Sequence, residues 1–256
     1  CKQESHHPSL AKNLSGGEKR GEMLSSLNPG EVDLMNEAAH FMLFAQAAYT
    51  VIAFMIEFPV TGLFSLLFRA IKSRACFHPS LKESIKGDNL LQLNTIALKA
   101  ISRLKNEDII YANYNDTIKK IPYMILLDHE WKSVVLTIRG TKTFESFLAD
   151  LNVAPEGLGR LGKECGFDGE ELYCHTGMLA STEWIYRDMM SHRKLEKAMA
   201  EYAGYKLRII GHSLGAGVAS ILSVLLRPTY PKLRCLAFSP PGCVMSENLA
   251  DAVASY

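Results

Sequence analysis

Hydrophobic and polar positions fall along the chain in blocks of different period. Residues 1–29 are polar and aperiodic, scattered with Lys, Glu, Ser, Gly and His, the composition of a disordered tail. From Glu31 the character changes. EVDLMNEAAHFMLFAQAAYTVIAFMI carries no charge between Glu37 and Glu57, and FPVTGLFSLLF extends the apolar stretch to Arg69. The uncharged run 38–56 stands at the edge of membrane-spanning length, and Glu57 and Pro59 interrupt it. Three readings stay open: a helix pair packed into a core, a hairpin lying in a membrane interface, and a transmembrane helix.

Residues 72–87 read as a linker. Asp88 is placed to cap a helix from Asn89 to about Leu104, with Leu90, Leu93, Ile96, Ala97, Ala100, Ile101 and Leu104 on one face. Strand patterns follow in DIIYANYND, KIPYMILLDHE and WKSVVLTIRG. The third holds a fully buried strand in Val134, Val135, Leu136 and Ile138, joined to the second by a hairpin through Asp128-His129-Glu130. TFESFLADL reads as a short helix, and the Gly-rich, aperiodic stretch 152–174 as a loop or partial lid. His175-Thr176-Gly177 opens a long helix to about Tyr202, with His175 a structural residue at its start. A strand at Leu207–Ile210, the apolar helical run AGVASILSVLLR, a buried strand KLRCLAF and a helix begun by SENLADAVASY complete the chain. Strands alternating with helices predict an α/β fold. The expected organisation is a tail (1–29), an N-terminal helical segment (30–105), membrane-facing in two of the three readings, and an α/β domain (106–256).

Composition narrows the function classes. With 256 residues and 48% hydrophobic residues the chain can bury a sizeable core. A net charge of +1 gives no electrostatic reason to expect nucleic acid as a partner. The six cysteines lack metal-ligand spacing, so neither a metal nor another cofactor is expected. They read as mostly reduced, buried thiols, with a Cys165–Cys174 bridge as the alternative. The chain begins at Cys1 with no signal peptide, as a fragment or processed product would.

The chemistry centres on Tyr205–Gly217, YKLRIIGHSLGAG. An apolar strand, then Gly211-His212-Ser213-Leu214-Gly215, then an apolar helix is the context of a nucleophile elbow. Gly211 and Gly215 keep side chains away where the turn crowds itself, and Ser213 is held with its hydroxyl exposed. Leu214 opens the helix, so its N–H is free to donate to an oxyanion. Arg139-Gly140-Thr141 ends an earlier strand, and Thr141 is the candidate for the second donor, through its N–H and Oγ1; the same residue would also suit a helix N-cap.

Taken together, VVLTIRGT, the Asp150-Leu151 pair, CHTGM, GHSLGAG and RCLAFSPPG resemble the class 3 (fungal-type) lipases, and most of all the diacylglycerol lipases selective for the sn-1 position. The resemblance runs from about Leu34 to Tyr256. It is strongest from Pro122 to Gly242, and EAAHFMLFAQAAY is similar to the segment these lipases carry between membrane helices and catalytic domain. It implies an α/β-hydrolase fold, Ser213 as nucleophile, and Leu214 and Thr141 at the oxyanion. It further implies diacylglycerol at a membrane surface as substrate, with monoacylglycerol and a fatty acid as products, and a catalytic domain on the cytoplasmic side. Four upstream transmembrane helices belong to the family and are not in this sequence. The departures are AG where the family often has GG after GHSLG, and the order of the histidines. All eight (6, 7, 40, 78, 129, 175, 192, 212) precede Ser213, whereas the family's catalytic aspartate and histidine follow the serine. Glu247 and Asp251 lie in the last helix, not at a strand end. The expectation is a partial hydrolase fold lacking its last strands, with nucleophile and oxyanion hole but without triad acid and base; the alternative is a catalytically inactive lipase-like membrane or protein interaction module.

Overall fold

The computed structural model describes residues 28–74, 83–117, 120–140 and 154–254. The chain divides into two units, Cys1–His40 and Phe41–Tyr256. In the first, helix α1 (Pro29–Ala47, which continues into the second unit) is opened by a reciprocal cap: Asn28 Oδ1 accepts from the Glu31 N–H at 3.0 Å, and Glu31 Oε2 accepts from the Asn28 N–H at 2.9 Å.

The second unit is built on a mixed six-stranded sheet in the order β1 (Ile85–Lys86), β2 (Ile109–Asn113), β3 (Tyr123–Asp128), β4 (Ser133–Ile138), β7 (Lys206–His212) and β8 (Arg234–Phe238). β2, β3 and β4 pair antiparallel, while β4, β7 and β8 run parallel. β3 and β4 are buried at every residue because both faces of the sheet are covered. On one face Val134, Leu136, Ile138, Leu207 and Ile209 join a core with α6 (Thr176–His192), α7 (Lys194–Glu201) and α8 (Leu214–Leu226). On the other lies the second half of α1. Thr137 Oγ1 donates to the Phe44 carbonyl at 3.1 Å, and the Phe41 ring meets Trp131 edge-on and lies under the Arg208 guanidinium. The strand pleat sends alternate residues to these two layers. The expected hairpin between β3 and β4 is present.

Several boundaries differ from the sequence reading. The apolar run 38–56 is not one helix: it breaks at residues 48–50, where Thr50 has φ 52°, and resumes as α2 (Val51–Glu57) and α3 (Gly62–Arg74). No single described helix is long and apolar enough to cross a membrane. The linker reading of 72–87 is corrected at both ends. α3 runs on to Arg74, and Ile85–Lys86 forms β1; the Ser84 and Lys86 carbonyls accept from the Ala112 and Tyr114 N–H groups. The helix expected from Asn89 starts at Leu93 as α4 (Leu93–Ser102). Asp88 does bond its first turn, accepting from the Thr95 N–H at 3.0 Å and Oγ1 at 2.6 Å, but Asn89 folds back into an Asx turn and accepts from Leu91 and Leu93 instead of joining the helix.

The stretch read as a loop is ordered where it is described. β5 (Pro155–Gly157) and β6 (Tyr173–His175) pair antiparallel around α5 (Gly159–Cys165), and Leu158, Leu161 and Cys174 anchor the motif in the core. The single long helix after His175 is two, broken at Arg193 with φ 52°. β8 is only partly buried at the edge of the described sheet, so Cys235 is not the core residue expected. Cys165, Cys174, Cys235 and Cys243 are free thiols, which excludes the Cys165–Cys174 bridge, and Cys243 is exposed. The final helix is α9 (Glu247–Ala254).

Candidate active site

β7 ends at His212 and α8 begins at Leu214, so Ser213 is the whole of the turn. Its backbone takes φ 57°, ψ −128°, a region that L-residues other than glycine avoid. The Ser213 N–H donates to the Phe238 carbonyl at 3.0 Å, tying the turn to the end of β8. Among the described residues no side chain hydrogen-bonds to Ser213 Oγ, and the residue is partly exposed. Leu214 is the first residue of α8, where a backbone N–H has no acceptor one turn back.

The glycines of the motif are required by close approach of backbone to backbone. A Cβ on Gly211 would stand 2.1 Å from the Gly215 carbonyl oxygen, and one on Gly215 would stand 2.4 Å from that of Ile138. The start of α8 thus lies against the end of β4. Gly140 closes the same corner: its Cβ would meet the His212 carbonyl at 2.7 Å and the Tyr49 hydroxyl at 2.5 Å. Gly140 therefore lies beside the turn. Thr141 itself, the helix TFESFLADL and the Asp150-Leu151 pair fall outside the described residues.

Beneath Gly140, Arg139 is buried and paired with Asp116. Beside it, Tyr49 was not singled out by the sequence. Its hydroxyl lies 3.0 Å from His212 Nδ1 and 3.4 Å from the His212 carbonyl oxygen, and burial raises its pKa against opposing pulls from the Gly140 backbone and the Arg139 charge. No local pattern marks it: Tyr49 and His212 are 163 positions apart.

The other described histidines are engaged elsewhere. His175 caps α6, its Nδ1 accepting from the Gly177 N–H at 3.1 Å, which is the structural place expected of it. His192 meets the Tyr123 hydroxyl at 3.0 Å. His129 sits in the turn after β3, at the opposite end of β4 from Gly140, between Asp108 and Tyr205. Glu247 and Asp251 lie in α9. No group of three His, Cys, Asp or Glu among the described residues is placed to hold a metal ion.

Residues 135–256 match the model of the family Lipase (class 3). Diacylglycerol lipase-alpha of Homo sapiens is 35% identical over 237 residues, covering 88% of this chain and 22% of that protein. Diacylglycerol lipase-beta of Mus musculus is 30% identical over 226 residues, 87% of this chain and 32% of that protein. The chain therefore spans less than a third of the length of these curated relatives. A crystal structure of a fungal lipase superposes with a TM-score of 0.59 over 90% of this chain and 69% of the other, at 20% identity, which bears out the expected partial α/β-hydrolase fold. Over residues 135–256 the chain thus matches the class 3 lipase family, and its fold is that of the fungal lipases.

Proposed function

We propose that this domain hydrolyses an acyl ester of diacylglycerol, with Ser213 as nucleophile. The observation that carries the reading is the backbone of Ser213, held at φ 57° between β7 and α8 with no partner for its Oγ among the described residues. Such strain is maintained only where the surrounding structure enforces it. Ser213 Oγ attacks the ester carbonyl, and the carbonyl oxygen takes the negative charge. The Leu214 N–H and Thr141, by its N–H and Oγ1, stabilise that oxyanion. Collapse of the tetrahedral adduct expels monoacylglycerol, which takes the proton that left Ser213. Water then releases the fatty acid from the acyl-enzyme.

Serine is a poor nucleophile without a base in reach. His212 does not serve as that base in this arrangement, because its Nδ1 faces Tyr49. In the order the family uses, acid and base follow the serine, and no histidine follows Ser213 in this sequence. We read them as supplied from outside these 256 residues. Residues 106–256 act in this reading as the catalytic domain, working at a membrane surface on its cytoplasmic side. The diacylglycerol lipase relatives support the substrate class.

That no described base reaches Ser213 Oγ favours a second reading, a lipase-like module that binds lipid or protein without turnover. The test is fluorophosphonate labelling and diacylglycerol hydrolysis by the complete gene product beside its Ser213→Ala variant. Labelling and release of fatty acid that both vanish in the variant are expected. A complete protein that neither labels nor hydrolyses would overturn the hydrolase reading in favour of the module.

A further inference from the structure

Helix α3 has two opposite apolar faces. Gly62, Leu66 and Ala70 form the face turned inward, and all three are buried. Across the helix, at i, i+4 and i+7, stand Phe64, Phe68 and Ile71, exposed by 76%, 69% and 74%. The stripe continues into the preceding turn and α2, where Val60 and Ile56 are exposed by 84% and 76%. A helix lying on a water-soluble core carries polar residues on its outward face. A contiguous exposed row of large apolar side chains marks an interaction surface instead.

The charges beside this row say what it meets. Arg69 and Lys72 are exposed along one flank of the stripe. From Val51 to Arg74 the sequence has one acid, Glu57, against the bases Arg69, Lys72 and Arg74. A basic flank along an apolar stripe matches an anionic bilayer surface. Set against a second copy of itself, the same flank would place like charges together. At 13 residues α3 is too short to span a bilayer but long enough to lie in its interface.

We propose that the α2–α3 hairpin is an in-plane anchor for anionic membranes. Ile56, Val60, Phe64, Phe68 and Ile71 enter the boundary between headgroups and acyl chains, and Arg69 and Lys72 meet lipid phosphates. Tyr49, two residues before α2, bonds to His212 beside Ser213, so the anchor holds the Ser213 turn at a fixed place relative to the bilayer. The purpose of the anchor rests on the lipid-hydrolase reading; the binding itself does not.

The test is co-sedimentation of this chain with vesicles of phosphatidylcholine alone and with about 30% phosphatidylserine, an anionic content at which each basic residue adds measurably to binding. Wild type is expected to bind the anionic vesicles. Phe64→Ser with Phe68→Ser is expected to lower partitioning about tenfold or more, because two exposed aromatic side chains no longer leave water. Arg69→Gln with Lys72→Gln is expected to weaken binding to the anionic vesicles, about fivefold for each charge, and to leave binding to phosphatidylcholine unchanged. In a separate Phe64→Trp variant, added indole emission over the wild-type background is expected to be quenched by brominated acyl chains. Circular dichroism checks that each variant is folded, as exposed positions permit. Unchanged partitioning of the folded Phe64→Ser, Phe68→Ser variant would overturn the anchor. So would a row that proves to be a dimer contact, with that variant turning a dimer into a monomer and wild type ignoring vesicles. Ser213→Ala is expected to bind vesicles as wild type does, so a failed hydrolase reading leaves the anchor standing. Absence of vesicle binding by the wild-type protein, when the complete gene product hydrolyses diacylglycerol in detergent micelles, would overturn the anchor alone.

Discussion

The hydroxyl of Tyr49 reaches Nδ1 of His212 at 3.0 Å across 163 positions of sequence, joining the end of α1 to the turn that carries Ser213. The contact fills the corner where Gly140, at the end of β4, has no room for a side chain. One phenol therefore touches both strand ends from which the proposed nucleophile and oxyanion donors project.

Tyr49→Phe removes the hydroxyl and keeps the ring. The half-buried imidazole then loses its partner, and the variant is expected to unfold about 1 kcal/mol more easily in denaturant. Because His212 neighbours Ser213, kcat of the complete enzyme is expected to fall several-fold with KM little changed. Stability and kcat both equal to wild type would show that the contact positions nothing.

Gly215→Ala should be far more damaging than its one methyl group suggests. The new Cβ would lie 2.4 Å from the Ile138 carbonyl oxygen and 2.9 Å from Gly140 N. Both are backbone atoms of a fully buried strand end, which cannot swing aside as a side chain would. A loss of about 3 kcal/mol or more is expected, read as a lowered denaturation midpoint. A stable, normally folded variant would mean that β4 and α8 are not so closely apposed.

Strain at the proposed nucleophile has its own signature. Ser213 Oγ has no partner among the described residues, so Ser213→Ala should leave stability nearly unchanged. Ser213→Gly keeps the backbone hydrogen bond to Phe238 and relieves φ 57°, and is expected to be about 1 kcal/mol more stable than Ser213→Ala. Equal stability of the two variants would remove the argument that the turn is strained.

The parts of this molecule that were legible in the sequence were those with local causes. Val134–Ile138 and Leu207–Ile210 read as strands because a strand covered on both faces is a short apolar run, and the Gly-x-Ser-x-Gly turn read as an elbow because its neighbours are a strand and a helix. The ordered β5–α5–β6 motif was hidden, since its fold depends on three anchors, Leu158, Leu161 and Cys174, set among glycines that carry no period. The breaks at Thr50 and Arg193 were hidden for the opposite reason: the apolar pattern continues across residues whose backbone has turned to positive φ. Tyr49 could be found only by folding the chain.

A polar cluster at the far end of α6 gives the last prediction, on acid stability. Asp188 accepts from the Tyr111 and Tyr123 hydroxyls, both at 2.7 Å, and from Asn113. Burial pushes the Asp188 carboxyl up, but the hydrogen bonds from Tyr123, Tyr111 and Asn113 outweigh it and hold the pKa below its ordinary value. One turn along, burial depresses His192 to about 4, against the pull of Asp188 and with the help of Lys86 and Lys194. The folded state thus binds fewer protons than the unfolded one, so stability rises with pH through this range. The His192 contribution is present above its ordinary value of 6.5 and is lost as pH falls toward 4. The Asp188 contribution is present above the ordinary carboxylate value and is lost below it. His192→Gln is expected to remove the loss between those pH values, about 2 kcal/mol, while Asp188→Asn lowers stability at neutral pH by a similar amount because two buried phenols lose a charged acceptor. Denaturant unfolding of wild type and both variants across the range measures this directly. An identical pH slope in wild type and His192→Gln would show that His192 is not held neutral by the fold.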